Sequence, residues 1–112
     1  MKRAESVLQA ALIEHLRLRA VPGLVYFAVP NNPRNRVAGG ILKKMGMTAG
    51  VSDLILLHGG QAYALELKTD KGRLTDSQRA FAHDFTVAGG VAKIAYGLDD
   101  ALEFLEMRGL IR

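Results

Sequence analysis

The chain of 112 residues contains no cysteine, which removes disulfide frameworks and thiolate metal sites together. Any metal must therefore sit on oxygen or imidazole. No apolar run approaches the roughly 20 residues that cross a bilayer. The charged opening MKRAES leads into an amphipathic pattern instead of the apolar core of a cleavable signal. A soluble, unexported protein with no membrane partner is the expectation. Internal repeats, low-complexity tracts and linkers are also missing, and about half the residues are hydrophobic (49%), which suits one domain over residues 1–112 built on a single core.

What is present in excess is positive charge. The formal net charge of +4 and pI near 9.7 point to a polyanionic partner. The stretch PRNRVAGGILKKMG concentrates Arg34, Arg36, Lys43 and Lys44, and Lys71 and Arg73 follow a later strand. These six are the expected phosphate contacts, a role that requires no base recognition.

Apolar residues at Leu8, Leu12, Ile13 and Leu16 recur with helical spacing from Ala4 to about Arg19 and stop before Pro22-Gly23. LVYFAV (24–29) reads as a strand cut short by Pro30 and Pro33. The glycine-rich segment 31–50 reads mostly as a basic loop with room for a short helix around 41–45. DLILLH and QAYALELKT flank Gly59-Gly60, the length and chemistry of a tight hairpin turn. Thr75 with Gln78 three residues on forms a capping box that starts a second helix, which ends at Gly89-Gly90. VAKIAY is a further strand, and LDDALEFLEMRG a last helix with acids in its first turn. The predicted order is α-β-β-β-α-β-α, an α/β fold.

Period-two alternation in QAYALELKT puts Ala62, Ala64, Glu66 and Lys68 on one face. A turn at Gly59-Gly60 pairs His58 with Gln61, Leu56 with Tyr63 and Leu54 with Leu65, which brings Asp53 beside Glu66. Two carboxylates next to a lysine suit a hard divalent cation such as Mg²⁺, with the Leu67 carbonyl as a further ligand. A cation there polarises a phosphodiester and activates water, and a lysine positions that water and offsets phosphate charge. An isolated Glu-x-Lys is more commonly an ordinary exposed pair. Glu5 falls on the apolar arc of the first helix, where a carboxylate either serves the N-terminal dipole or supplies a third acid to the site. Gln78 has a sufficient role as a cap and a second one orienting water or phosphate at the site. His15, His58 and His83 form no helical or strand metal pair and are assigned no chemistry.

The ordered set AESVLQAALIEHL, GVSDLILL, ALELKTDKGRLTDSQRAF and AGGVAKIAYGLDDAL resembles the PD-(D/E)XK nuclease superfamily, and within it the VRR-NUC (virus-type replication-repair nuclease) family. The resemblance covers nearly the whole chain. It implies a restriction-endonuclease-like mixed β-sheet flanked by helices that cuts DNA with Mg²⁺ or Mn²⁺. By position, Glu5, Asp53 and Glu66 correspond to the acidic metal-site residues, Lys68 to the catalytic lysine and Gln78 to the supporting helix residue. Ser52 stands where the superfamily name has proline, a residue that shapes backbone and binds no metal.

Stand-alone members, typical of phages and bacteria, form homodimers acting on branched DNA such as four-way (Holliday) junctions, which implies a cytoplasmic enzyme of a bacterial or phage-infected cell. Symmetric junction cutting needs two active sites, so one small domain is expected to dimerise. The apolar side of the last helix, with Leu102, Phe104, Leu105 and Leu110, is read as core ahead of dimer interface. The competing reading is a non-catalytic DNA-binding or assembly module that retains the nuclease fold. An RNA nuclease would use the same residues.

Overall fold

The computed structural model describes residues 3–30 and 36–112, with side chains from 4–30 and 39–112. The elements run α1 (Arg3–Arg19), β1 (Val25–Ala28), α2 (Arg36–Lys44), β2 (Leu54–His58), β3 (Gln61–Lys68), α3 (Asp76–Val87), β4 (Val91–Tyr96) and α4 (Leu98–Met107). The four strands form one mixed sheet in the order β1-β2-β3-β4, antiparallel except for the parallel pair β3–β4 that α3 connects. The α/β class and the predicted succession of elements are those observed, with one helix added between the first two strands.

That helix corrects the expectation of a basic loop. Gly39 and Gly40 each disfavour helix by about 1 kcal/mol relative to alanine, which conceals it from local propensity. Its end is nonetheless written in the chain. Gly46 adopts φ +97°, its N–H donates to the Lys43 carbonyl, and the Met47 N–H donates to that of Leu42, a Schellman closure.

The hairpin register is the predicted one, with Leu54 opposite Leu65, Leu56 opposite Tyr63 and His58 opposite Gln61. A two-residue turn with both glycines at positive φ leaves no slack for slippage. One sheet face consequently carries Leu54, Leu56, Leu65, Leu67 and Ala95. All are fully buried, and with Leu12 and Leu16 of α1 and Ala101 and Leu105 of α4 they form the core. The last helix is thus a core element: Leu105 is buried and Leu102 and Phe104 pack against the cluster, while Leu110, also buried, lies past the end of the helix and not on it. Arg19 ties the end of α1 to the C-terminal segment, its Nε donating to the Arg112 carbonyl at 2.6 Å.

The opposite face is covered by α3 over β4 and is open toward β1. Thr75 caps α3 as predicted, its hydroxyl accepting from the Gln78 N–H at 3.1 Å while Gln78 Oε1 accepts from the Thr75 N–H at 3.0 Å. This face, under the first turn of α3, holds the charged residues.

Candidate active site

Glu66 and Lys68 leave β3 on the face opposite the core yet are 4% and 6% exposed. Local burial of two charged residues needs compensation, and the neighbours supply it. Lys68 Nζ lies 3.6 Å from Glu66 Oε2, and Gln78 Nε2 donates to the same oxygen at 3.2 Å. Gln78 fills the capping role read from the sequence with one end of its amide and restrains Glu66 with the other. The turn after β3 lies over the lysine stem, where a Cβ on Gly72 would stand 3.2 Å from both Cβ and Cδ of Lys68.

Asp53 enters from the start of β2, opposite Glu66 across the ladder. Its Oδ2 accepts the Leu67 N–H at 2.7 Å, and its own carbonyl accepts from Val29 at 2.9 Å. The carboxylate is thereby fixed to the strand that bears Glu66. Ser52, the residue before it, is buried.

Burial is the main reason that the Glu66 carboxyl is pushed up to about 7 from an ordinary 4.5; the Asp53 charge adds to the rise and Lys68 opposes it. Burial likewise raises Asp53, against the Leu67 hydrogen bond. The interaction between the two carboxyls acts to lower Asp53 and to raise Glu66. A carboxyl raised toward neutrality beside a second acid marks crowding, and a divalent cation would supply the positive charge that the pair lacks. The donor set, two carboxylates with the nearby Leu67 backbone, fits the few oxygens that Mg²⁺ or Mn²⁺ takes from protein.

Glu5 is half-buried in the first turn of α1 and acts on both carboxyls as a nearby negative charge. Among the described residues no hydrogen bond or ion pair joins it to them, and no three acidic or histidine side chains converge as a ready cation cage. The structure thus brings together Asp53, Glu66, Lys68 and Gln78, and leaves Glu5 at the edge of the group. Lys71 and Arg73 are exposed on the turn beside Lys68, and Lys43 and Lys44 are exposed at the end of α2. Arg36 begins α2, its side chain outside the described set, and Arg34 lies outside the described residues.

Three further residues support the site without having been read from the sequence as part of it. Tyr96 is paired in register with Lys68 across the parallel strands and is exposed, which places an aromatic on the same face at the site's rim. The Thr75 hydroxyl holds the turn that aims Gln78. Gly50, at φ +80°, lies so close to α3 that a Cβ would stand 2.2 Å from the Ser77 carbonyl oxygen. A capping box was the only sequence signal for any of these; the parallel pairing and the glycine approach are contacts between distant segments.

Searches against known families and against curated proteins return no match at the sequence level. Among solved structures, a VRR_NUC domain protein superposes with a TM-score of 0.78 over 96% of this chain and 88% of its own, at 19% sequence identity. The chain is therefore similar in fold to that VRR_NUC domain protein.

Proposed function

We infer that this protein is a metal-dependent, structure-selective DNA endonuclease acting on branched DNA such as four-way junctions, with Mg²⁺ or Mn²⁺ held by Asp53 and Glu66 and with Glu5 close by. The observation that carries the reading is the Asp53–Glu66–Lys68 group, in which Glu66 and Lys68 are buried and Glu66 is restrained by both Lys68 and Gln78. A structural ion pair has no need of the second carboxyl. A bound cation would polarise the scissile phosphodiester and lower the pKa of the attacking water. Lys68, rigid beside Glu66, presents its ammonium to a phosphate seated at the carboxylates and offsets the charge that builds up on it. Asp53 and Gln78 keep the acceptor oxygens in place, while Lys43, Lys44, Lys71 and Arg73 provide exposed positive charge for flanking phosphates.

Action on a junction calls for a pair of sites, and a homodimer is part of this reading. Val25, Phe27 and Leu57, neighbours on the open sheet face, are 55%, 48% and 41% exposed and support self-association there.

The test is cleavage of a labelled four-way junction alongside linear duplex, flap and single-stranded DNA in Mg²⁺ and in Mn²⁺, with Lys68→Ala as control. Junction cutting by the wild type and none by a folded Lys68→Ala is the expected result. Binding by both proteins without cleavage would replace this reading with the non-catalytic module. Light scattering of the purified protein reads the dimer.

A further inference from the structure

A cavity of about 540 Å³ adjoins the candidate active site on the far side of Gln78. Pro30, Leu42 and Met47 contribute apolar walls, and Lys43, Ser77 and Gln78 contribute polar groups. The volume lies within the ~300–1,000 Å³ of ordinary small-ligand pockets. Its mixed lining suits a flat, mostly apolar ring bearing hydrogen-bonding edges and an attached anion. Gln78 is common to both places, since its side chain lines the cavity and donates to Glu66 at 3.2 Å. Whatever fills the cavity therefore lies one side chain away from the carboxylates.

Close backbone contacts frame the cavity. The Gly50 approach locks the segment before β2 against the first turn of α3, and the Thr75–Gln78 cap stiffens that turn. The Schellman closure at Gly46 sets Met47 at the cavity wall.

Resting on the nuclease reading, we propose that this cavity receives the base of one unpaired nucleotide of the DNA, with Lys43 meeting its phosphate. A paired base in an intact duplex is stacked and cannot enter, whereas an unpaired one at a branch or bulge enters with little unstacking cost. The cavity thereby makes the protein selective for irregular DNA through one captured base, and it sets that base next to the phosphodiester presented to Asp53 and Glu66.

The experiment measures binding of the full chain in EDTA to three labelled DNAs: a flush duplex, the same duplex with a one-nucleotide bulge, and that bulge made abasic. The base-bearing bulge is expected to bind about tenfold more tightly than the other two, the worth of one base contact. Ala49→Trp, which fills the cavity, and Met47→Trp, at its partly exposed rim in case the first does not fold, are expected to erase the tenfold preference. Both should leave flush-duplex affinity within about twofold. Equal affinity of the wild type for normal and abasic bulges overturns this inference alone, as does a filled variant that keeps the preference. Failure to bind any of the three DNAs overturns the nuclease reading together with it.

Discussion

Two lysine–carboxylate pairs sit at strand ends of this protein, built from nearly the same parts, and they behave oppositely. At the end of β4, Asp100 accepts the Tyr96 N–H at 2.9 Å and lies 3.3 Å from Lys93 Nζ. At the end of β3, Asp53 accepts the Leu67 N–H at 2.7 Å, and the adjacent Glu66 lies 3.6 Å from Lys68 Nζ. The Tyr96 hydrogen bond, with Lys93 adding to it, holds Asp100 below the usual carboxylate range, whereas Glu66 is raised to about 7. Burial and a second carboxyl make the difference. A half-buried acid with one lysine and one backbone N–H is stabilised as an anion. Two acids sharing one lysine inside the fold are left short of positive charge, a condition that a ligand can relieve.

The largest expected effect breaks the comparison outright. Lys68→Ala should lower single-turnover cleavage of a junction by on the order of 10²–10³-fold or more, while Lys93→Ala changes it less than about twofold. Similar losses from the two lysines would mean that the β3 pair has no special place in the chemistry.

pH separates the pairs next. Glu66 has a folded pKa above its unfolded one, so its contribution is fully present below about 4.5 and is lost as pH rises through about 7. Urea unfolding in EDTA should therefore show stability falling from pH 5 to pH 8 by roughly 2–3 kcal/mol relative to Glu66→Gln. Asp100, with a lowered pKa, contributes the other way: its stabilisation is present above the unfolded pKa and is lost as acid titrates it. A wild-type slope matching that of Glu66→Gln would contradict the crowding of the two carboxyls.

Cation binding follows from the same imbalance. Saturating Mn²⁺, at about 100 times its Kd, should stabilise the wild type by about 2.7 kcal/mol. Glu66→Gln should lose most of that gain and Asp100→Asn none of it, as read by thermal melting.

Smaller effects concern the supports. Asp53→Ala leaves the Leu67 N–H without its acceptor and should cost about 1–3 kcal/mol in metal-free protein, offsetting the relief of repulsion. Asp53→Asn, which retains an acceptor, should be closer to neutral. Thr75→Ala should cost about 1 kcal/mol as a lost cap. It should also reduce cleavage, because the turn that aims Gln78 at Glu66 is loosened; unchanged kcat would confine Thr75 to a structural role.

The pairing of Asp53 with Glu66 was legible because its determinants are local. Strand alternation sets Glu66 and Lys68 on one face, and a two-glycine turn leaves a single register for Asp53. The cap on α3 was legible for the same reason. The helix α2 was not, since Gly39-Gly40 masks it locally and its Gly46 closure is also ordinary loop chemistry.

Only the tertiary structure decided what these parts do to one another. The apolar side of α4 reads the same whether it meets a core or a partner, and packing against the sheet made it core. Gln78 reaches Glu66 because α3 crosses over the sheet, the same crossover that sets Tyr96 beside Lys68. The sequence by itself determined which charges exist, which face they share and how the hairpin aligns, all properties of short-range geometry. The depth of their burial, the upward shift of the Glu66 carboxyl and the cavity behind Gln78 depend on segments far apart in the chain meeting in one place.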